Sequence, residues 1–213
     1  YEDEFAAVLD KPAGIAVHPT LNYPDGTLAN GWLYHLQQQG TTGVFRPVNR
    51  IDKNTSGLVL CAQNAFAAPL LAESAHKCYL AVVQGQLPLG EGRVEAPIAR
   101  RGDSIIGRCV RPDGKYSLTE YTALAVGASH SLLVCRPRTG RTHQIRVHMA
   151  HIGHPLAGDT LYGGSDAILQ RHALHCGVVC FAHPLTRAPL RIESPLPADM
   201  AALAAAEGLL DGW

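Results

Sequence analysis

The chain has 213 residues, 46% of them hydrophobic and 17% charged, with 18 Lys and Arg against 18 Asp and Glu. Those values fit a globular protein with a core of its own and exclude a disordered chain. No run of 18 apolar residues offers a membrane-spanning helix. A net charge of zero argues on its face against a polyanionic partner, but a neutral protein can still carry a positive cleft. Tyr121 to Gly158 holds no Asp or Glu, yet it carries Arg136, Arg138, Arg141, Arg146 and five histidines. Acids gather near the ends, at Glu2, Asp3, Glu4 and Asp10, then at Glu193, Asp199, Glu207 and Asp211. The six cysteines (Cys61, Cys78, Cys109, Cys135, Cys176 and Cys180) sit mostly in apolar runs and read as reduced thiols of a cytoplasmic protein.

Phe5 to Lys11 predicts a short strand, stopped by Pro12-Ala13-Gly14 and resumed at Ile15 to Val17. Leu28, Trp32, Leu33 and Leu36 have helical spacing, so a helix is predicted over 28–39 with Asp25-Gly26-Thr27 as its start. Leu58 to Ala62 reads as a buried strand, and Asn64 as the cap of a helix running to about Ala75. Lys77 to Gln84 reads as a strand, and Arg93 to Lys115 as an irregular hairpin or excursion. Two strands are predicted at Ser117 to Val126 and Ser131 to Pro137, then a helix from Arg141 to His151 opened by Thr139-Gly140. Late strands are expected at Ala173 to Phe181 and Leu190 to Glu193, with Cys176 and Cys180 both facing the core. An Ala/Leu helix from Ala198 to Leu210 is expected to pack outside or fray. Successive strands with few helices between them predict an α+β fold with a largely antiparallel central sheet and flanking helices.

Three segments carry chemistry. Asp52 stands in Asn49-Arg50-Ile51-Asp52-Lys53-Asn54-Thr55-Ser56-Gly57, just before a buried strand. Such an Asp either satisfies a turn or, held ionised by a guanidinium, attacks an electrophilic carbon. Tyr79 lies in a strand and reads either as a core aromatic or as a platform for a base. In Gly140-Arg141-Thr142-His143-Gln144-Ile145-Arg146, Arg141 and His143 are expected in the first turn of a helix, where anions bind. Arg146, about one and a half turns in, is placed to point inward toward a carboxylate. Asp159, after Gly158, is read as a residue that satisfies a turn. His143, His148, His151 and His154 are close together, but no acidic ligand accompanies them and no Cys-x-x-Cys is present, so no metal site is assigned. There is no phosphate-binding glycine loop of the nucleotide-cofactor type either.

Taken in order, Asp10-Lys11-Pro12-Ala13-Gly14, Asn49-Arg50-Ile51-Asp52 with Thr55-Ser56-Gly57, Lys77-x-Tyr79, Gly140-Arg141-Thr142-His143-Gln144-Ile145-Arg146-Val147-His148, and Gly153-His154-Pro155-Leu156-x-Gly158-Asp159 resemble the RluA-type pseudouridine synthases. The likeness runs from about Phe5 to Met200. It implies that the 213 residues form a single catalytic domain, with no S4-like RNA-binding module visible in them. It also implies an enzyme that isomerises uridine in structured RNA to pseudouridine without cofactor or metal. The leading expected target is 23S ribosomal RNA; transfer RNA, or a catalytically silent RNA-binding role, is the alternative. By the resemblance Asp52 is the catalytic aspartate, Tyr79 the base-stacking residue that takes the C5 proton, and Arg146 the cation paired with Asp52. Arg50 holds the flipped-out nucleotide, and Arg141 and His143 join the RNA-binding set. Two routes stay open to Asp52: attack on C1′, or proton removal from the ribose on the way to a glycal. Many members have His-Arg-Leu-Asp where this chain has Asn49-Arg50-Ile51-Asp52, and Asn where it has Asp10. RNA is the expected partner, the monomer the expected state, and no membrane association is expected.

Overall fold

The computed structural model describes residues 1–21 and 23–210, so Asp211 of the terminal acids lies outside the described residues. In chain order the strands and helices are β1 (Ala6–Lys11), α1 (Leu28–Gln38), β2 (Arg46–Pro47), β3 (Ser56–Ala62), α2 (Ala67–Ser74), β4 (His76–Gln84) and β5 (Gly90–Glu95). They continue as β6 (Ile98–Arg100), β7 (Arg108–Val110), β8 (Leu118–Val126), β9 (His130–Pro137), α3 (Gln144–His151), β10 (Leu174–Ala182), β11 (Pro189–Glu193) and α4 (Ala198–Ala206). This is the α+β fold with a largely antiparallel sheet that the strand-rich sequence predicts. The chain forms two compact units: Tyr1–Lys77 with Cys176–Pro195, and Cys78–His175 with the segment from Leu196 onward.

In the first unit β3 lies between β1 and β10, with β2 on β3 and β11 on β10. β1 runs antiparallel to β3, from Ala6 opposite Ala62 to Lys11 opposite Gly57. Every residue of β3 is buried, which is why its sequence reads as a continuous apolar run rather than an alternation. Gly57 is the one residue type β3 tolerates there. A Cβ on it would stand 2.3 Å from the carbonyl oxygen of Cys176, and its φ is +104°. The predicted continuation of β1 at Ile15–Val17 does not form. The carbonyls of Ala16 and Val17 instead accept from the Leu28 and Ala29 amides (2.9 and 3.1 Å), two donors that α1 cannot satisfy itself. Thr27 and Asn30 add a capping box. Asn64 accepts from the Ala67 amide at 2.9 Å, and α2 starts at Ala67. Cys180 departs from expectation: Val179 and Phe181 are the buried pair of that stretch, so Cys180 takes the more open face.

In the second unit the order is β4-β9-β8-β5, all antiparallel, with a bulge in β8 between Ala123 and Ala125. β5 begins ahead of the stretch read as irregular; its glycines and charges hide a strand that pairs along β8. β6 and β7 form the hairpin within that stretch. α4 neither frays nor sits outside. Met200, Leu203 and Ala204, with Leu209, are buried against Val82, Leu132, Leu169 and Ala173. All six cysteines are free thiols, and burial pushes Cys61 and Cys135 up to about 12.

The end of α4 is tied to the β8–β9 turn by Glu207. Its carboxylate accepts from the amide and hydroxyl of Ser129 (3.0 and 2.8 Å) and lies 2.9 Å from Nδ1 of His130. The Ser129 amide, with help from His130, brings the Glu207 carboxyl down from its ordinary 4.5 to about 2. A depressed carboxyl stabilises the fold above its unfolded pKa and loses that contribution as pH falls through the folded value. Urea unfolding measured between pH 4.5 and 2 is therefore expected to show a steep loss of stability in the wild type and a shallower one in Glu207→Gln.

Candidate active site

Asp52 is carried on the turn between β2 and β3, and that turn is held from several sides. Asn49 is buried; its Nδ2 donates to the Leu58 carbonyl (3.2 Å) and its Oδ1 accepts from the Leu60 amide (2.8 Å). The Val48 amide donates to the Leu60 carbonyl at 2.7 Å, so two successive residues before Arg50 are fastened to β3. Asp52 closes the turn by accepting from the Thr55 amide at 3.1 Å through its main-chain oxygen. On the far side Lys11 is fully buried, its Nζ donating to the carbonyls of Pro12 (2.8 Å) and Lys53 (3.0 Å). The Gly14 amide donates to the same Lys53 carbonyl at 2.9 Å. A buried ammonium is tolerated when carbonyls replace its water, and here one of them adjoins Asp52. Asp52 is half-buried and Arg50 exposed. Lys53 stacks its ammonium 3.8 Å from the centre of the Tyr23 ring. Asn49, the departure from the family's usual His, thus has a structural task in the strand ladder.

In the second unit Tyr79 lies in β4 opposite Cys135 of β9 and is buried. The helix that follows β9 corrects the sequence reading. It begins at Gln144, because His143 is in the left-handed region at φ 57° and cannot continue a helix backwards. Gln144 is the anchor: its Oε1 accepts from the Thr139 hydroxyl and the Arg141 amide (2.7 and 3.0 Å), and its Nε2 donates to the Leu118 carbonyl and the Thr119 hydroxyl (2.9 and 3.0 Å). Arg141 and His143 therefore lie on the loop before α3, not in its first turn. Arg141 is exposed and donates to the Tyr116 carbonyl at 3.1 Å.

Arg146 falls in the first turn of α3 rather than one and a half turns in, and it is buried. Its Nε and Nη2 donate to the two carboxylate oxygens of Asp159 at 2.7 and 2.8 Å, a planar fork. The guanidinium carbon lies 5.0 Å from the centre of the Tyr162 ring. The Tyr162 hydroxyl accepts from the Arg108 amide at 3.0 Å and is 2.7 Å from Nδ1 of His143. Asp159 is thus not simply a turn residue. Its main-chain oxygen serves the turn, accepting from Tyr162 and Gly164, while its carboxylate holds Arg146.

Three of the four clustered histidines, His143, His148 and His154, are engaged in hydrogen bonds. His148 is fully buried; Nε2 donates to the Ala96 carbonyl and Nδ1 accepts from the Thr119 hydroxyl, both at 2.9 Å, and burial lowers its pKa so that it stays neutral. His154 bonds the Gln84 carbonyl through Nδ1 at 2.9 Å. Among the described residues no group of three or more His, Cys, Asp or Glu is placed to hold a metal ion.

The structure therefore puts Arg50 and Asp52 on one turn of the first unit, and Tyr79, Arg141, His143 and Arg146 in the second, where Tyr162 links His143 to Arg146. Lys11, Asn49, Gln144, Asp159 and Tyr162 were not singled out as site residues by the sequence. For Asp159 a signal existed: it is the first carboxylate after Glu120, and the nearest in sequence to Arg141 and Arg146 of the acid-free stretch.

The fold belongs to a known class. It superposes on human RNA pseudouridylate synthase domain containing 1 with a TM-score of 0.75, over 98% of this chain and 93% of that one, at 24% identity. The family model of RNA pseudouridylate synthases matches residues 6–151. Among relatives, an uncharacterized RNA pseudouridine synthase of Bacillus subtilis, YjbO, is 41% identical over 208 residues, covering 95% of this chain and 74% of its own. Ribosomal large subunit pseudouridine synthase D of Xanthomonas campestris is 40% identical over 225 residues, covering 97% of this chain and 68% of its own. The chain belongs to the RNA pseudouridylate synthase family, in its RluA-type branch, and is an enzyme that isomerises uridine in RNA to pseudouridine. Among the described residues no helix is long and apolar enough to cross a membrane.

Asn49→Ala would leave the Leu58 carbonyl and Leu60 amide without their side-chain partner. Urea unfolding is expected to show a loss of about 1–3 kcal/mol, with turnover reduced beyond what the folded fraction accounts for.

Proposed function

We propose that Asp52 is the reacting aspartate and that the substrate is the ribosomal RNA of the large subunit. The observation that carries the first part is the fastening of the Asp52 turn by Asn49, Lys11 and Gly14, which pre-organises one half-buried carboxylate. The second part is supported by the relatives named ribosomal large subunit pseudouridine synthase D. In this reading the target uridine is extruded from its stack. Its N1–C1′ bond is exchanged for a C5–C1′ bond, C5 loses a proton and N1 gains one. Asp52 acts at the ribose. Tyr79 stacks on the base and takes the C5 proton. Arg146 is the basic residue of the reaction, Arg50 holds the extruded nucleotide, and Arg141 and His143 contact the RNA. Residues 1–213 act as one catalytic domain, working as a monomer in the cytoplasm.

Pseudouridine mapped in total RNA from cells with and without the gene is expected to lose a site in large-subunit ribosomal RNA. That site should return with the wild type and stay lost with Asp52→Asn. Restoration by Asp52→Asn would remove Asp52 from the chemistry, and a lost site in transfer RNA alone would move the substrate.

RNA affinity is expected to fall linearly with the logarithm of salt concentration, because cations that touch phosphates release counterions. Arg50→Ala should reduce that slope by about 1. A titration between low and physiological salt that gave the same slope for both proteins would take Arg50 off the backbone.

A further inference from the structure

Lys53 follows Asp52 directly, and it is fixed at both ends. Its main-chain carbonyl accepts from the buried Lys11 ammonium (3.0 Å) and from the Gly14 amide (2.9 Å). Its own ammonium sits 3.8 Å from the centre of the Tyr23 ring. A lysine at a surface ordinarily keeps its rotamers, and holding one still costs entropy. A cation over an exposed aromatic face recovers a modest part of that cost. What the contact does provide is a charge held in one place. Among the described residues no carboxylate pairs with this ammonium. It carries three donors, and the ring covers it from one side only.

Tyr23 is anchored in its turn. Thr20 and Tyr23 exchange main-chain hydrogen bonds, amide to carbonyl in each direction (2.9 and 3.0 Å). The stem of their loop is stapled to the rest of the unit. The Val17 carbonyl accepts from the Ala29 amide at 3.1 Å, and the His18 ring meets buried Phe45 edge-on, with centroids 5.0 Å apart. Tyr23 nevertheless stays 44% exposed, so the pair it makes with half-buried Lys53 lies at the surface.

One turn thus presents the exposed guanidinium of Arg50, the carboxylate of Asp52 and the held ammonium of Lys53. A ribose that meets Asp52 brings to the same turn the phosphates bonded to its 3′ and 5′ oxygens. Phosphate contacts fix the register of a nucleic acid without reading a base. We propose that Lys53 binds a phosphate flanking the target uridine and that Tyr23 is the positioning residue that aims its ammonium, a role that rests on Asp52 being the reacting aspartate. The contact is the same in the bound and the transition state, so it governs affinity and not the saturated rate.

Affinity and single-turnover rate are measured on an unmodified transcript of large-subunit ribosomal RNA over a range of salt. Lys53→Met keeps the carbonyl that Lys11 and Gly14 bond. It should lower the salt slope of the affinity by about 1 and leave the saturated rate within about twofold. Tyr23→Leu should weaken binding about twofold to fivefold, the worth of an exposed cation–π contact. Tyr23→Phe should bind as the wild type does, because the ring and not the hydroxyl holds the ammonium. In the Lys53→Met background, Tyr23→Leu should cost nothing further. A wild-type slope in Lys53→Met would overturn the phosphate contact. Losses that multiply in the double variant would overturn the positioning role and leave Tyr23 a support of its own loop. Should Tyr23→Leu disturb folding, the slope of Lys53→Met and the affinity of Tyr23→Phe still decide. Binding is read without turnover, so the reading of Asp52 fails separately: an Asp52→Asn enzyme that still isomerised uridine would remove the reacting aspartate, and the flanking phosphate with it, whatever the slopes.

Discussion

A charged amine excluded from water must be surrounded by oxygen, and this constraint sets the geometry of the Asp52 turn. Lys11 ends β1, with its ammonium fully buried and donating to two carbonyls, one on its own strand end and one on Lys53. Moving the turn away would strand that charge, at a cost well above that of losing an ordinary surface contact. The β1–β3 register places Lys11 opposite Gly57, so strand pairing, the buried amine and the turn form one mechanical assembly. Asn49 closes it from the other side by bonding into β3. In the proposed reaction, a carboxylate mounted this way would lose little entropy on meeting the substrate.

The two compact units use different means to fix a polar side chain. The first relies on main-chain carbonyls and amides around a turn. The second relies on side chains: Gln144 makes four bonds, Thr119 bridges Gln144 to His148, and Asp159 grips Arg146. Complete satisfaction of such networks is what lets polar groups sit deep in a protein. It also resolves the charge asymmetry of the sequence. The stretch from Tyr121 to Gly158 has no acid of its own, and the carboxylate that neutralises its buried arginine comes from the next residue.

Much of this was legible in the sequence. Apolar runs marked β3, β9 and β10, and Thr27 marked the start of α1, because burial and capping leave local signatures. Features decided by tertiary partners were not. The sequence around Ile15 favours a strand, but α1 claims those carbonyls. Arg141 and His143 look helical until the bonds of Gln144 and the left-handed His143 delay the start of α3. α4 looks peripheral by composition, yet its Met200 and Leu203 fill a core assembled from four distant segments. For the proposed site, the resemblance pointed to Asp52, Tyr79 and Arg146, whereas the hold of Asp159 on Arg146 was hidden because a Gly-Asp dipeptide reads equally well as a turn.

Gly57 changes how the Thr55-Ser56-Gly57 signature should be interpreted. Its side-chain space is taken by the main chain of β10 at Cys176, so the glycine records the spacing of two strands and not a step of the reaction. In a lineage released from catalysis, drift would erase Asp52, the aspartate proposed to react, early and Gly57 late. A descendant that kept the glycine after losing the aspartate would still be a folded protein, and a search keyed on that signature would gather retired enzymes along with working ones.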